Sequence, residues 1–116
     1  MEIRLKPKIY VPFIDSILWI GMRGNGVIRL NTQTEAYQLI SFDKNGIAPM
    51  NDILCIHQDK NKIIWVGSSY GLTRLTLLPN GEYDYKNFNE NEGLPNNTIH
   101  GIAEDPQGNL WLSSNT

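Results

Sequence analysis

The sequence predicts an all-β protein made of four-stranded antiparallel β-propeller blades, in about two and a half repeats of 46 residues. The first observation is the spacing of the tryptophans: Trp19, Trp65 and Trp111 lie 46 residues apart, and a regular spacing of this size marks a repeat architecture. The second is that short apolar runs alternate with turn-forming segments rich in Gly, Pro and Asn. The third is that no window of helical length is free of such helix-breaking residues.

Other positions repeat with the tryptophans and set the limits of the units. Asp59 and Asp105 are 46 residues apart, and a glycine follows the first two tryptophans at the same distance, at Gly21 and Gly67. Gly26 and Gly71 each begin a further matching run, at a spacing of 45 residues, so the length change falls in a loop that tolerates it. The expected units are residues 1–46, 47–92 and 93–116, the last of them truncated.

The middle repeat shows how each unit divides into strands. Its runs become more polar along the chain, which is typical of a blade whose inner strands are covered by neighbouring blades and whose outer edge is solvated. The predicted strands are 53–58, 63–67, 72–77 and 83–88. In the first repeat the inner strand is expected only at 9–11, because Pro7 and Pro12 limit its length.

The last repeat has the clearest turn. Asp105 opens it and Gly108 supplies the positive φ that a bulged hairpin demands. Lys62 and Ser16 occupy the positions equivalent to Gly108, so those two turns are expected to differ in detail or to carry strain.

Composition excludes several classes of function. The chain has a net charge of −2 and no basic cluster, which argues against a nucleic-acid surface. No apolar run reaches the roughly 20 residues of a membrane helix, and the N-terminus lacks the apolar core of a signal peptide. Cys55 is the only cysteine, and no residues show metal-ligand spacing, so we expect neither a metal nor a cofactor.

Three segments resemble the two-component regulator propeller repeat: ILWIG at 17–21 followed by GVIRL at 26–30, GLPNNTIHGIAED at 93–105, and DPQGNLWL at 105–112. The resemblance covers nearly all of residues 14–116. It implies a periplasmic sensor region of a Bacteroidetes-type hybrid two-component histidine kinase that reads polysaccharide breakdown products. Such regions continue into a β-sandwich, a membrane helix and a kinase core, and related repeats are fused to other outputs.

Repeated positions are interpreted as structural, and positions that differ between repeats as candidates for ligand contact. The tryptophans are expected to pack between blades rather than stack on sugars, and Asp59 and Asp105 to hold the turns. In the loops that differ, Arg23 offers a guanidinium for bidentate hydrogen bonds and Tyr70 an aromatic face, which makes them candidate ligand-binding residues. His57 and His100 are out of register, and each is interpreted as a partly buried strand residue; no catalytic residue is predicted.

The leading hypothesis is a non-catalytic, glycan-sensing segment of a hybrid two-component regulator. One alternative is a propeller enzyme of the streptogramin-lyase type, which would need His and acidic residues gathered at the central mouth. Another is a scaffold that binds proteins through blade edges or loops. Because about two and a half blades do not close a ring, the expected partners are the remaining blades of a parent protein or a second copy of the chain.

Overall fold

The structure is a computed structural model that describes residues 9–14, 16–22, 26–42 and 53–115. It contains three antiparallel sheets, two with four strands and one with two, and the strands of each sheet follow chain order. The first sheet comprises β1 (Ile9–Ile14), β2 (Ile17–Gly21), β3 (Val27–Asn31) and β4 (Tyr37–Ile40). The second comprises β5 (Ile53–Gln58), β6 (Ile64–Ser68), β7 (Gly71–Leu77) and β8 (Tyr83–Phe88). A 3-10 helix (Glu90–Glu92) leads to the third sheet, β9 (Ile99–Glu104) and β10 (Leu110–Ser114).

These sheets confirm the predicted all-β blade architecture. One expectation is wrong in extent: β1 continues through Pro12 to Ile14 instead of ending at Val11. The pairing of β1 with β2 shifts register between Val11 and Ile14. A proline is tolerated at such an irregularity because the ladder there does not need its missing N–H.

The inner strands of successive sheets lie next to one another. Strand β5 packs against β1 and β2, and β9 packs against β5 and β6. Two apolar clusters fill the spaces between the sheets. The first, between the first and second sheets, contains Trp19, Val27, Ile40, Phe42, Ile53, Ile56, Ile64, Val66 and Leu75. The second, between the second and third sheets, contains Cys55, Leu72 and Ile99, with Trp65 and Leu112 packed against it.

The repeated glycines are explained by close approach. Gly26 and Gly71 have φ angles of 98° and 106°, in the left-handed region. A Cβ at either position would overlap a carbonyl oxygen at the end of the fourth strand, that of Ile40 or of Phe88. A Cβ on Gly67 would overlap the Cys55 sulfur and lie 2.9 Å from Cγ2 of Ile99, so Gly67 lets β9 approach the second sheet.

The equivalent position in each of the three turns has a positive φ angle: 65° at Ser16, 66° at Lys62 and 87° at Gly108. Both outcomes expected from the sequence are found. Ser16 and Lys62 carry strain, because they keep a geometry that glycine adopts freely, at a cost of about 1 kcal/mol each. The first turn also differs in its pairing, since Ile14 pairs with Ile17 there, whereas Gln58 pairs with Ile64 across the second turn.

Candidate functional site

The sheets have two chemically different ends. The loop end carries the β2–β3 and β6–β7 hairpins and the loop at 89–98, which leads from the second sheet to the third. The turn end carries the Asp-led turns at 59–63 and 105–109. The sequence favours the loop end for ligand contact, because the loops there differ most between repeats.

Tyr70 lies in the hairpin at the loop end, where its backbone is held by several hydrogen bonds. Its N–H donates to Ser68 Oγ at 3.0 Å, and its carbonyl accepts from Asn87 Nδ2 at 3.1 Å. The side chain is half-buried and packs against the first apolar cluster. The ring is therefore an extension of the core, and only part of it is accessible to a ligand. Arg23 lies outside the described residues, so the structure does not bring these two candidates together.

The loop at 89–98 is held by its own asparagines. Asn89 accepts from the N–H of Asn91 at 2.8 Å while Glu92 accepts from the N–H of Asn89 at 3.1 Å, and together they cap the 3-10 helix. Asn97 Oδ1 accepts from the N–H of Glu90 at 2.9 Å, and Gly93 ends the helix with a φ of 103°. This segment is thus a rigid inter-blade connection.

At the turn end, each turn aspartate also holds a tryptophan. Asp59 accepts from the N–H groups of Asn61 and Ile63 through Oδ1, and from Trp65 Nε1 through Oδ2 at 2.9 Å. The same carboxylate geometry recurs at Asp105, whose Oδ2 accepts from Trp111 Nε1 at 3.0 Å.

Asp105 illustrates what these bonds do to the carboxyl group. The indole N–H of Trp111, followed by the N–H of Asn109, lowers the pKa of Asp105 from 3.8 to about 2. Hydrogen bonds to the ionised form favour that form, so both turn aspartates are occupied in structural bonds.

The equivalent tryptophans have different surroundings. Trp19 is 4% exposed and meets the ring of Tyr83 edge-on, with 5.4 Å between centroids. Trp65 packs against the second cluster, where its ring lies 6.3 Å from that of Phe88. Trp111 is 66% exposed, because no sheet covers its face within the described part of the chain. The expectation of packing between blades thus describes Trp19 and Trp65 and not Trp111.

A side-chain contact between His57 and Glu104 links the second and third sheets at the turn end. Nε2 of His57 lies 3.1 Å from Oε1 of Glu104, and the two side chains are 24% and 14% exposed. The N–H of Lys60 donates to both oxygens of Glu104, at 3.2 Å each. The Lys60 side chain continues across the junction to Gly108. The sequence did not reveal this contact because His57 and Glu104 occupy non-equivalent positions of two repeats.

The histidines do not meet in one site. His57 is half-buried near the end of β5, as expected, whereas His100 is exposed near the start of β9, which corrects the expectation of partial burial. The Nε2 atom of His100 lies 2.6 Å from Oδ1 of Asn115. Among the residues that the structure describes, no group of three His, Cys, Asp or Glu side chains is placed to hold a metal ion.

Cys55 is a packing residue. It is 8% exposed and part of the second cluster, and burial raises its pKa to about 11 despite a backbone hydrogen bond at Gly67. A thiol that stays protonated at neutral pH is a poor nucleophile.

A cleft of about 560 Å³ opens between the first and second sheets at the turn end. This inter-blade cleft has an apolar floor that includes Trp19 and Leu75. Its polar lining contains two cations, three amides and a threonine but no acidic side chain from the described residues: Arg29, Lys62, Asn31, Gln58, Asn61 and Thr76. Its volume lies in the range of small-molecule sites, and its lining combines apolar surface with a nearly equal share of polar groups. Arg29 repeats at Arg74, so the interpretation of repeated positions as structural predicted a structural pairing for it and did not find this cleft.

Comparison with known proteins agrees with the blade architecture. The model of the two-component regulator propeller family matches residues 48–70 and 93–116. Each stretch contains the two inner strands of a sheet and the Asp-led turn between them.

Two kinds of relative resemble the chain. Histidine kinase P4 of Formosa agariphila is 26% identical over 149 aligned residues, which cover 87% of this chain and 11% of that protein. The extracellular domain assigned to a one-component system of B. thetaiotaomicron superposes with a TM-score of 0.61 at 27% identity, over 90% of this chain and 13% of that one. The extracellular domain assigned to a hybrid two-component system of the same organism gives a TM-score of 0.47 at 18% identity, over 90% and 18% of the two chains.

Within the part of the chain that the structure describes, no helix has the length and apolar character needed to cross a membrane. The matched segments, the three packed sheets and the solved relative all indicate one kind of repeat. Over residues 48–70 and 93–116, the chain is therefore similar to the two-component regulator propeller repeat.

Proposed function

We propose that the chain is a ligand-sensing part of the extracellular propeller region of a hybrid two-component regulator, and that it performs no chemistry itself. The observation that carries this proposal is the match of the family model to two repeats, which fold as adjoining blades. The similarity to Histidine kinase P4 supports a kinase as the output of the parent protein. The resemblance to sensor regions of Bacteroidetes supports an oligosaccharide ligand and a periplasmic location.

The contacts between blades suggest how such a segment would transmit a signal. Sheets packed through apolar clusters are not continuously deformable, so a ligand that binds between two sheets shifts them between discrete arrangements. The pair formed by His57 and Glu104 ties the second sheet to the third, so a movement of one is passed to the next.

The test is a kinase assay on the parent protein reconstituted in membranes. The probes are oligosaccharides released from polysaccharides on which the source organism grows. They are expected to change autophosphorylation of the intact protein and to have no effect on a version that lacks these blades. A control variant carries Glu82→Gln, which changes one exposed side chain and keeps all the blades. Equal responses with and without the blades would contradict the proposal.

We further propose that the face of the third sheet that carries Trp111 is covered by another blade, from a second copy of the chain or from the remainder of the parent protein. The equivalent Trp19 and Trp65 pack within apolar clusters, whereas Trp111 is 66% exposed. The difference in exposure between equivalent positions is the observation that supports this proposal.

A further inference from the structure

We infer that the inter-blade cleft binds a hydroxylated organic carboxylate, such as a uronic acid sugar, and that Arg29 receives its carboxylate group. This inference rests on the proposed ligand-sensing role and adds the position and the charge of the ligand. It concerns the turn end, whereas the sequence favours the loop end.

The side chain of Arg29 is half-buried and lines the cleft. No described residue gives it a salt bridge, a hydrogen bond or a ring contact. Partial burial of a cation without a partner is unfavourable, and an acceptor carboxylate from a ligand removes that cost.

Arg74 is the residue of the next repeat that is equivalent to Arg29, and its surroundings are different. Both arginines lie opposite a tryptophan in the ladder, Trp19 and Trp65 respectively. The guanidinium of Arg74 lies 5.6 Å from the centre of the Phe88 ring and so has an aromatic partner. Arg29 has no such contact, although Phe42 stands at the position equivalent to Phe88.

The reason is the orientation of Phe42. It is 4% exposed and packs against Tyr85, with 5.3 Å between the ring centroids. The hydroxyl of Tyr85 also donates to the carbonyl of Phe42 at 3.2 Å. The ring therefore belongs to the core between the sheets, and the guanidinium of Arg29 is left to the cleft. The contact between arginine and phenylalanine is therefore present in the second sheet and absent from the first.

The rest of the lining offers both polar groups and apolar surface to a ligand. The amides of Gln58 and Asn61 can bond hydroxyl groups, since an amide both donates and accepts. Tyr83 contributes part of an aromatic surface, and Leu77, which is 60% exposed, forms an apolar rim. A sugar ring has an apolar face and a polar edge, and it matches this mixture. Among the described residues, the charged side chains of the lining are Arg29 and Lys62, both of which attract a carboxylate.

The experiment is a nitrogen-15 NMR titration of the purified chain with glucuronate, glucose and propionate. Glucuronate is expected to shift amide signals of residues 61–64 and 75–77 and to bind more tightly than either of the other probes. Arg29→Gln is expected to weaken glucuronate binding by about tenfold or more, since a charge-assisted pair is lost. Arg29→Lys retains the positive charge but loses the two parallel N–H donors of the guanidinium. Its affinity for glucuronate should lie between that of the wild type and that of Arg29→Gln. Arg74→Gln is the matched control and should leave the affinity unchanged.

Each contrary result has a distinct meaning. If glucose binds as tightly as glucuronate, or Arg29→Gln binds like the wild type with a native spectrum, the assigned role of Arg29 is wrong. If propionate equals glucuronate, the hydroxyl contacts are wrong. If the shifts lie instead at 68–71 and 89–98, or no probe binds, the cleft assignment fails. Failure of the proposed function is recognised separately, by the kinase assay on the parent protein.

Discussion

Replacement of Asp59 by alanine tests whether the turn aspartate stabilises a blade mainly through its tryptophan. The carboxylate of Asp59 accepts three hydrogen bonds of 2.9 Å, two from turn amides and one from the indole of Trp65. Asp59→Ala removes all three. The turn amides lie near the surface and regain water, whereas the half-buried indole N–H loses its charged partner. A hydrogen bond to a charged group contributes about 1.5–3 kcal/mol, so we expect Asp59→Ala to lower the free energy of unfolding by about 2 kcal/mol.

The corresponding change in melting temperature follows from the size of the chain. An unfolding entropy of about 2.1 cal/mol/K per residue gives about 0.24 kcal/mol/K for 116 residues. The melting temperature should therefore fall by about 8 °C, measured by scanning calorimetry and by tryptophan fluorescence.

The matched control for this prediction is Asp105→Ala, which removes the equivalent bonds, and one more from the side-chain amide of Asn109, at a tryptophan that is 66% exposed. Water replaces a bond to an exposed indole, so the fall should be smaller than that of Asp59→Ala. Equal falls for the two variants, or a fall of less than about 2 °C for Asp59→Ala, would refute the reasoning.

Three further predictions concern the glycines, the turn carboxylate and the assembly. Gly71→Ala should lower the free energy of unfolding by about 3 kcal/mol in chemical denaturation, because the new Cβ overlaps a carbonyl oxygen. Gly81→Ala, whose Cβ meets no atom, should lower it by only about 1 kcal/mol. Equal effects would show that the positive φ angle, and not the overlap, determines the loss of stability. The pKa of Asp105 should be about 2 by NMR, and Trp111→Phe should raise it. Because that pKa is lowered from 3.8, its contribution to stability is present above about pH 4 and is lost as the pH falls towards 2. Light scattering after size exclusion should give a dimer or higher ring that Trp111→Ser weakens; a monomer would contradict pairing between copies.

The spacing of 46 residues was enough to predict the sheets and their turns. The tryptophans, the turn aspartates and the glycines serve the geometry inside one blade, and that geometry is the same wherever the repeat occurs. The path of β1 through Pro12 was not predictable, because proline limits a strand only where its N–H is needed in the ladder. A register shift in the pairing with β2 removes that need, and it leaves no local signal in the sequence.

Contacts between blades were harder to predict than contacts within them. His57 and Glu104 meet across a blade junction from positions that are not equivalent, so the register that aligns the repeats does not pair them. Trp111, like Trp19, lies between two aliphatic residues in the sequence, and its exposure depends on whether a sheet lies against its face. The sequence therefore repeats the contacts within a blade, whereas the contacts between neighbouring blades differ from one junction to the next.

The same distinction explains where a binding site can arise in a repeat protein. Arg29 and Arg74 occupy equivalent ladder positions, and sequence reasoning treated them alike for that reason. Their surroundings differ because Phe42 packs against Tyr85, while Phe88 lies beneath the guanidinium of Arg74. A single change of ring orientation thus converts a satisfied structural cation into one that faces a cleft. In this chain, a position common to both repeats therefore has a different environment at each blade junction, because its aromatic partner packs elsewhere at one junction and lies beneath the cation at the other.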